Sequence, residues 1–241
     1  MRSPDAVLLI DAGEVGMRGL GGHGHNDVLS FDLWAAGAGV LVDSGTFTYS
    51  ADPAARQLLR STAAHNALRV DGEETSRLGN ERRLWLIEND AQPFGVSWSS
   101  DADQDVLQAS HTGYRRLREP VDHTRRIRFN KRQMIWRIDD LVDGSGEHLV
   151  ELFFHPGVPF EVGSDAVRLC APSGDVFLFP PKDTSFAQQD GWISRGYGLR
   201  EPARVLVYAL RSSVTFRLRT ELVLVPSGTP LDVARSKLEP D

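Results

Sequence analysis

A chain of 241 residues with 41% hydrophobic and 25% charged side chains has the composition of a globular protein long enough to bury one large core. A formal charge of −6 excludes the broadly basic surface that a nucleic-acid backbone requires, and no apolar run approaches the roughly 20 residues of a membrane helix. With Cys170 the only cysteine, an internal disulfide and a cysteine-based zinc cluster are both excluded.

In chain order, Val7-Leu8-Leu9-Ile10 is too short for a signal-peptide core and reads as a strand, entered so abruptly that a domain cut from a longer chain is expected. A glycine-rich turn, Gly21-Gly22-His23-Gly24-His25-Asn26-Asp27, follows. The apolar strand 39–43 then ends on Asp43 beside the turn Ser44-Gly45-Thr46. Asp52 suits the cap of a short helix over 53–60, with Pro53 at its first position, where a missing N–H costs nothing. His65 opens the strand-like run 66–70.

Further on, residues 123–130 and 214–219 alternate apolar and polar, as strands with one wet face must, while 150–154 and 205–210 are apolar on both faces. Asp71-Gly72, Asp143-Gly144 and Ser173-Gly174-Asp175 carry hairpin turn chemistry, and the polar segment 227–241 is expected to fray. The expectation is one all-β domain over 1–241, a large antiparallel β-sandwich with at most one short helix near 53–60.

Chemistry concentrates in the first third of the chain. If the glycine-rich turn is extended, His23 and His25 project to the same side, so one can bind metal while the other faces substrate. Two neutral imidazoles and one carboxylate, here His25, Asp43 and His65, are a ligand set of catalytic zinc that leaves one position open. The plainer reading is that each hydrogen-bonds locally at a turn or strand end. His111, His123, His148 and His155 read as satisfied strand or turn residues.

The blocks GHGHNDVLSFDL at 22–33, LVDSGTFTY at 41–49 and RSTAAHNALRVDG at 60–72, in that order, resemble the C-terminal β-sheet domain of heparinase II/III-like proteins, which include heparin, heparan sulfate and alginate lyases. HTGYRRL at 111–117 followed by HTRR at 123–126 is a weaker match. The resemblance implies that His25, Asp43 and His65 hold a divalent metal, zinc foremost, and that His23 faces a uronate. It implies an acidic polysaccharide substrate, such as alginate or a glycosaminoglycan, and a periplasmic or secreted location. It also implies a partner (α/α) toroid, N-terminal in the family, that supplies the catalytic Tyr.

Such lyases cleave by β-elimination, which requires neutralisation of the carboxylate next to the acidic C5 proton and a base and acid within roughly 3 Å of their targets. Asn26 is placed beside His23 as a possible donor, and Tyr49, Arg56 and Arg60 lie near enough to line a cleft. Arg115, Arg116, Arg118, Arg125, Arg126 and Arg128 form a basic stretch that alternation assigns mostly to a solvated strand face. The rival readings are a non-catalytic glycan-binding module and, ranked last, a metal-dependent hydrolase with Asp27 as base.

Overall fold

The computed structural model describes residues 1–16 and 20–238. Strands dominate, as the alternating and doubly apolar runs require: β1 (Ala6–Ile10), β2 (Phe31–Ala35), β3 (Ala38–Leu41), β4 (Leu68–Val70), β5 (Pro93–Ser100), β6 (Gln104–His111), β7 (Val121–Asn130) and β8 (Ile135–Gly144). They continue as β9 (Glu147–Phe154), β10 (Phe160–Val162), β11 (Val167–Ala171), β12 (Gly174–Phe179), β13 (Ser185–Gly196), β14 (Leu199–Ser213) and β15 (Phe216–Val225). Helix α1 (Pro53–Leu59) is short, with the Asp52 side chain accepting from the Ala55 N–H and proline in its first turn, as read from the sequence.

The strands form an eight-stranded sheet in the order β10-β11-β12-β15-β8-β7-β6-β5, a four-stranded sheet β13-β14-β9-β4 and a three-stranded sheet β1-β2-β3. The pairings among the described strands are antiparallel, including β7 with β8 in register over residues 121–130 and β14 with β9 over 206–213. A single apolar cluster joins the inner faces of all three sheets, with Phe31, Leu33, Val70, Phe129, Trp136, Leu152, Phe154, Leu206 and Leu222 among its buried members. This is the all-β sandwich expected from the patterning.

Strand β12 is buried along its whole length because its two faces serve different cores: Val176 and Leu178 enter the main cluster, whereas Phe177 and Phe179 face a second one. That second cluster is closed by helix α2 (Leu231–Arg235), whose Ala234 is fully buried and whose neighbours Leu231 and Leu238 pack with it. The segment expected to fray is therefore docked as far as Leu238. Its apolar residues at 231, 234 and 238 follow the helical spacing that a reading based on polarity passes over.

Two other expectations are corrected. Ser173-Gly174 does turn the β11–β12 hairpin, but Asp143-Gly144 does not make one: β8 pairs with β7 and β15, β9 with β14 and β4, so the chain changes sheets there. Asp71-Gly72 turns after β4 without pairing two named strands, Val70 bridging back to Glu73.

Candidate functional site

The ends of β2 and β3, the turn 20–27 and the segment from α1 to β4 meet at one rim of the sandwich, and the histidine-rich chemistry collects there. Gly24 is dictated by that approach, since a Cβ at this position would lie 2.5 Å from the Val15 carbonyl oxygen. His23 on one side of it is exposed, while His25 on the other is half-buried and turns inward, its ring centroid 5.4 Å from that of His65.

His25, Asp27 and His65 each bring a ligand atom within 4.8 Å of the other two, a geometry suited to one metal ion. His65 is fully buried and its Nδ1 lies 2.5 Å from Asp43 Oδ2, while its Nε2 is buried with no hydrogen-bond partner among the described residues. A carboxylate on one imidazole nitrogen and an unpartnered nitrogen on the other is how a histidine is presented to a metal, which would displace the Nε2 proton on binding. Asp43, read from the sequence as a ligand, thus touches the site through His65, and its Oδ1 accepts from the Gly45 N–H at 2.6 Å.

The electrostatics agree with a cation at this point. Burial, with the charge of His65 next, pushes the His25 pKa down to about 4, so its imidazole is neutral and able to ligate. Burial raises Asp27 to about 6, and burial with the nearby Asp43 charge raises Asp32 to about 6, so a cation beside them would favour their ionised forms. Although burial opposes its charge, His65 holds Asp43 below the usual carboxylate range. Burial likewise opposes charge on His65, but Asp43 outweighs it and raises that imidazole to about 9. The donor set, the bare Nε2 and the crowded carboxylates all fit a divalent ion. Asp32 is a member of this group that its place inside an apolar strand concealed.

A buried brace stands behind the site. Asn66 donates to the carbonyls of Phe31 and Val42 and accepts from the His155 N–H, tying β2, β3 and β9 beside His65. His155 receives Ser44 on Nδ1 and donates from Nε2 to the Ala63 carbonyl, flanking Asp43 and His65. Arg125 donates to the carbonyls of Leu29 and Asn66 at 2.7 and 2.8 Å and to both oxygens of Asp140. Arg125 is therefore not on a solvated face, and the rest of the basic stretch is largely matched, Arg115 with Asp122, Arg116 with Glu73 and Arg128 with Asp139.

Three of the residues expected to meet substrate are placed otherwise. Asn26 is buried and its amide is spent internally: Nδ2 donates to Glu74 and the Ser76 carbonyl, Oδ1 accepts from Thr75 and the Ser76 N–H. No donor remains for a substrate carboxylate. Arg56 and Arg60 are also buried, donating to the carbonyls of Gly22, Gly21 and Leu84, so they support the turn from beneath instead of lining a cleft. Tyr49 is half-buried and does face the same surface as His23, the rings 5.5 Å apart and edge-on. Trp85 joins them, 5.3 Å from His23 and stacked at 5.6 Å on Tyr49; its irregular loop carries no motif that marks it in the sequence.

The fold has known counterparts. Structures described as a heparinase III gene product (19% identity, TM-score 0.72), heparan sulfate lyase HepC from Pedobacter heparinus (17%, 0.74) and heparinase III (16%, 0.72) superpose on 92%, 93% and 94% of this chain. The matching region is only 32%, 34% and 34% of those chains, so the present chain spans about a third of their length. No curated protein matches it in sequence. The family model described as "Heparinase II/III-like, C-terminal" matches residues 1–225, and the chain therefore belongs to the heparinase II/III-like family of polysaccharide lyases as its C-terminal domain.

Proposed function

We propose that this chain is the metal-bearing β domain of a lyase that cleaves a uronate-containing polysaccharide by β-elimination. The observation that carries the reading is the convergence of His25, Asp27, Asp43 and His65 at the turn that also carries the exposed His23. In the reaction the C5–H bond is broken by a base, the C4–O bond breaks with protonation of the departing oxygen, and a C4=C5 double bond forms. The His23 imidazole, exposed next to Tyr49, is the group of this chain to which we assign one of those protons. The second proton carrier and the neutraliser of the carboxylate are assigned to a separate toroid domain.

A divalent ion, zinc by its preference for imidazole and carboxylate, supplies fixed positive charge that organises the rim. His25 and His65 would hold it, with Asp43 and Asp27 the carboxylates at hand. Purified protein is expected to contain about one divalent ion per chain by elemental analysis, with His25→Ala, His65→Ala and Asp43→Ala each losing it; wild type without stoichiometric metal overturns the metal assignment. Incubation of the full-length protein with alginate and glycosaminoglycans is expected to raise the ultraviolet absorbance of unsaturated ends. Release of reducing ends without that absorbance would instead favour hydrolysis with Asp27, whose raised pKa suits a general acid or base, as the working carboxyl.

A further inference from the structure

The fold treats its buried arginines in two ways. Arg125 is matched by a carboxylate that receives it through two nitrogens. Arg56 and Arg60, equally buried, have no acidic partner among the described residues; their hydrogen bonds go only to backbone carbonyls, and Arg56 Nε, Arg56 Nη1 and Arg60 Nε are buried without a hydrogen-bond partner. Burying an unmatched charge is costly, and the field of two such guanidiniums is left to act on whatever lies above them.

What lies over Arg56 is aromatic and open. The Arg56 guanidinium sits 4.4 Å from the Trp85 ring centroid and 5.1 Å from that of Tyr49. Tyr49 lies between Trp85 and Tyr197, 5.6 and 5.9 Å away. Trp85 is 42% and Tyr197 70% exposed. Two exposed rings set against a half-buried third are not a packing solution, because exposed apolar side chains without a purpose are scattered singly. Tyr197 stands at the turn between β13 and β14, and that hairpin is fixed to the Tyr49 loop by the Ser194 N–H on the Ser44 carbonyl and the Gly198 N–H on the Phe47 carbonyl.

We infer that Trp85 and Tyr197, flanking Tyr49, form a stacking platform for an anionic pyranose ring, and that the buried guanidinium of Arg56, with Arg60 behind it, selects the acid from below. The choice of a sugar ring rests on the lyase reading above. Flat rings take the apolar faces of a pyranose, and the positive field favours a carboxylate or sulfate on it; His23, edge-on to both Tyr49 and Trp85, places the platform against the proton-carrying group.

The test is calorimetric titration of the full chain with three tetrasaccharides: mannuronate, bearing carboxylates only; heparan sulfate, bearing carboxylates and sulfates; and neutral cellotetraose. Both acidic sugars are expected to bind more tightly than cellotetraose. Trp85→Ala and Tyr197→Ala should each weaken that binding roughly tenfold, about 1.4 kcal/mol, with metal content unchanged and with Trp85→Tyr restoring most of the loss. Equal binding of cellotetraose overturns the anionic part. Unaltered binding by both alanine variants, or no saturable binding of either acidic sugar by the wild type, overturns the platform. The mannuronate and heparan sulfate arms separate carboxylate from sulfate as the anion. Because the readout is affinity and not bond cleavage, its failure leaves the lyase reading to the absorbance assay, and the converse also holds.

Discussion

Histidines at matching depths differ in charge here, and their hydrogen bonds say which are neutral and which is cationic. The Gly113 N–H donates to His111 Nδ1, so a neutral His111 holds its proton on Nε2 and donates it to His123 Nδ1; His123 Nε2 then donates to Asp140. Both rings are neutral, each in a single tautomer, and burial lowers both pKa values. His148 faces acceptors on both sides, Asp71 Oδ2 at 2.6 Å and the Ser145 carbonyl at 2.8 Å, and only an imidazolium satisfies two acceptors. Burial opposes that charge, but the Asp71 bond outweighs it and the pKa is raised. A raised folded value means the His148 contribution is complete below the unfolded pKa of about 6.5 and fades as pH climbs through the folded value. His148→Gln is thus expected to cost about 2 kcal/mol near pH 6, measured by urea unfolding, with the gap to wild type narrowing at alkaline pH. A gap constant from pH 5 to 9 would refute the imidazolium. His111, His123 and His155 act with the opposite sign, losing stability as pH falls below about 6.5, because the unfolded chain takes up the protons first.

At the level of elements, the rim is assembled by loops that main-chain contacts clamp together, and Gly45 is where the clamp is tightest. Its φ is +75°, and a Cβ there would collide with the Ser194 carbonyl oxygen of β13. Gly45→Ala therefore combines a left-handed backbone with a steric clash, and is expected to lower stability by more than about 1 kcal/mol, read as a fall in the thermal midpoint; an unchanged midpoint would show that the hairpin does not press on this loop. The strands were legible because burial leaves a period-two trace: Leu218 is buried while Arg217 and Thr215 face water, and Val205 to Tyr208 are covered on both faces. What local pattern could not convey is partnership across the fold. Arg125 obeys the alternation of β7 by lying on its buried face, where the carboxylate that makes this tolerable is on β8, 15 residues on. Asn26 looks like a substrate donor until Glu74, Thr75 and Ser76 are seen to claim it. Trp85 and Tyr197 gain meaning only because their loops meet at Tyr49.

For the molecule as a whole, the rim joins parts far apart in sequence, and the ion proposed at His25, Asp27 and His65 would bridge segments that unfolding separates. An ion that binds the native site and not the unfolded chain stabilises it by RT ln(1 + [M]/Kd), about 2.7 kcal/mol at a hundredfold excess over Kd. For a protein of this size each kcal/mol moves the midpoint by roughly 2–4 °C. Chelation with EDTA should therefore lower the thermal midpoint by about 5–11 °C, and zinc added back above the chelator should restore it. The proposed metal acts through the rim only if His65→Ala, expected to lack it, is indifferent to EDTA. An equal EDTA effect in that variant would place the ion elsewhere, and the absence of any effect on metal-loaded wild type would remove the ion from the stability of the fold.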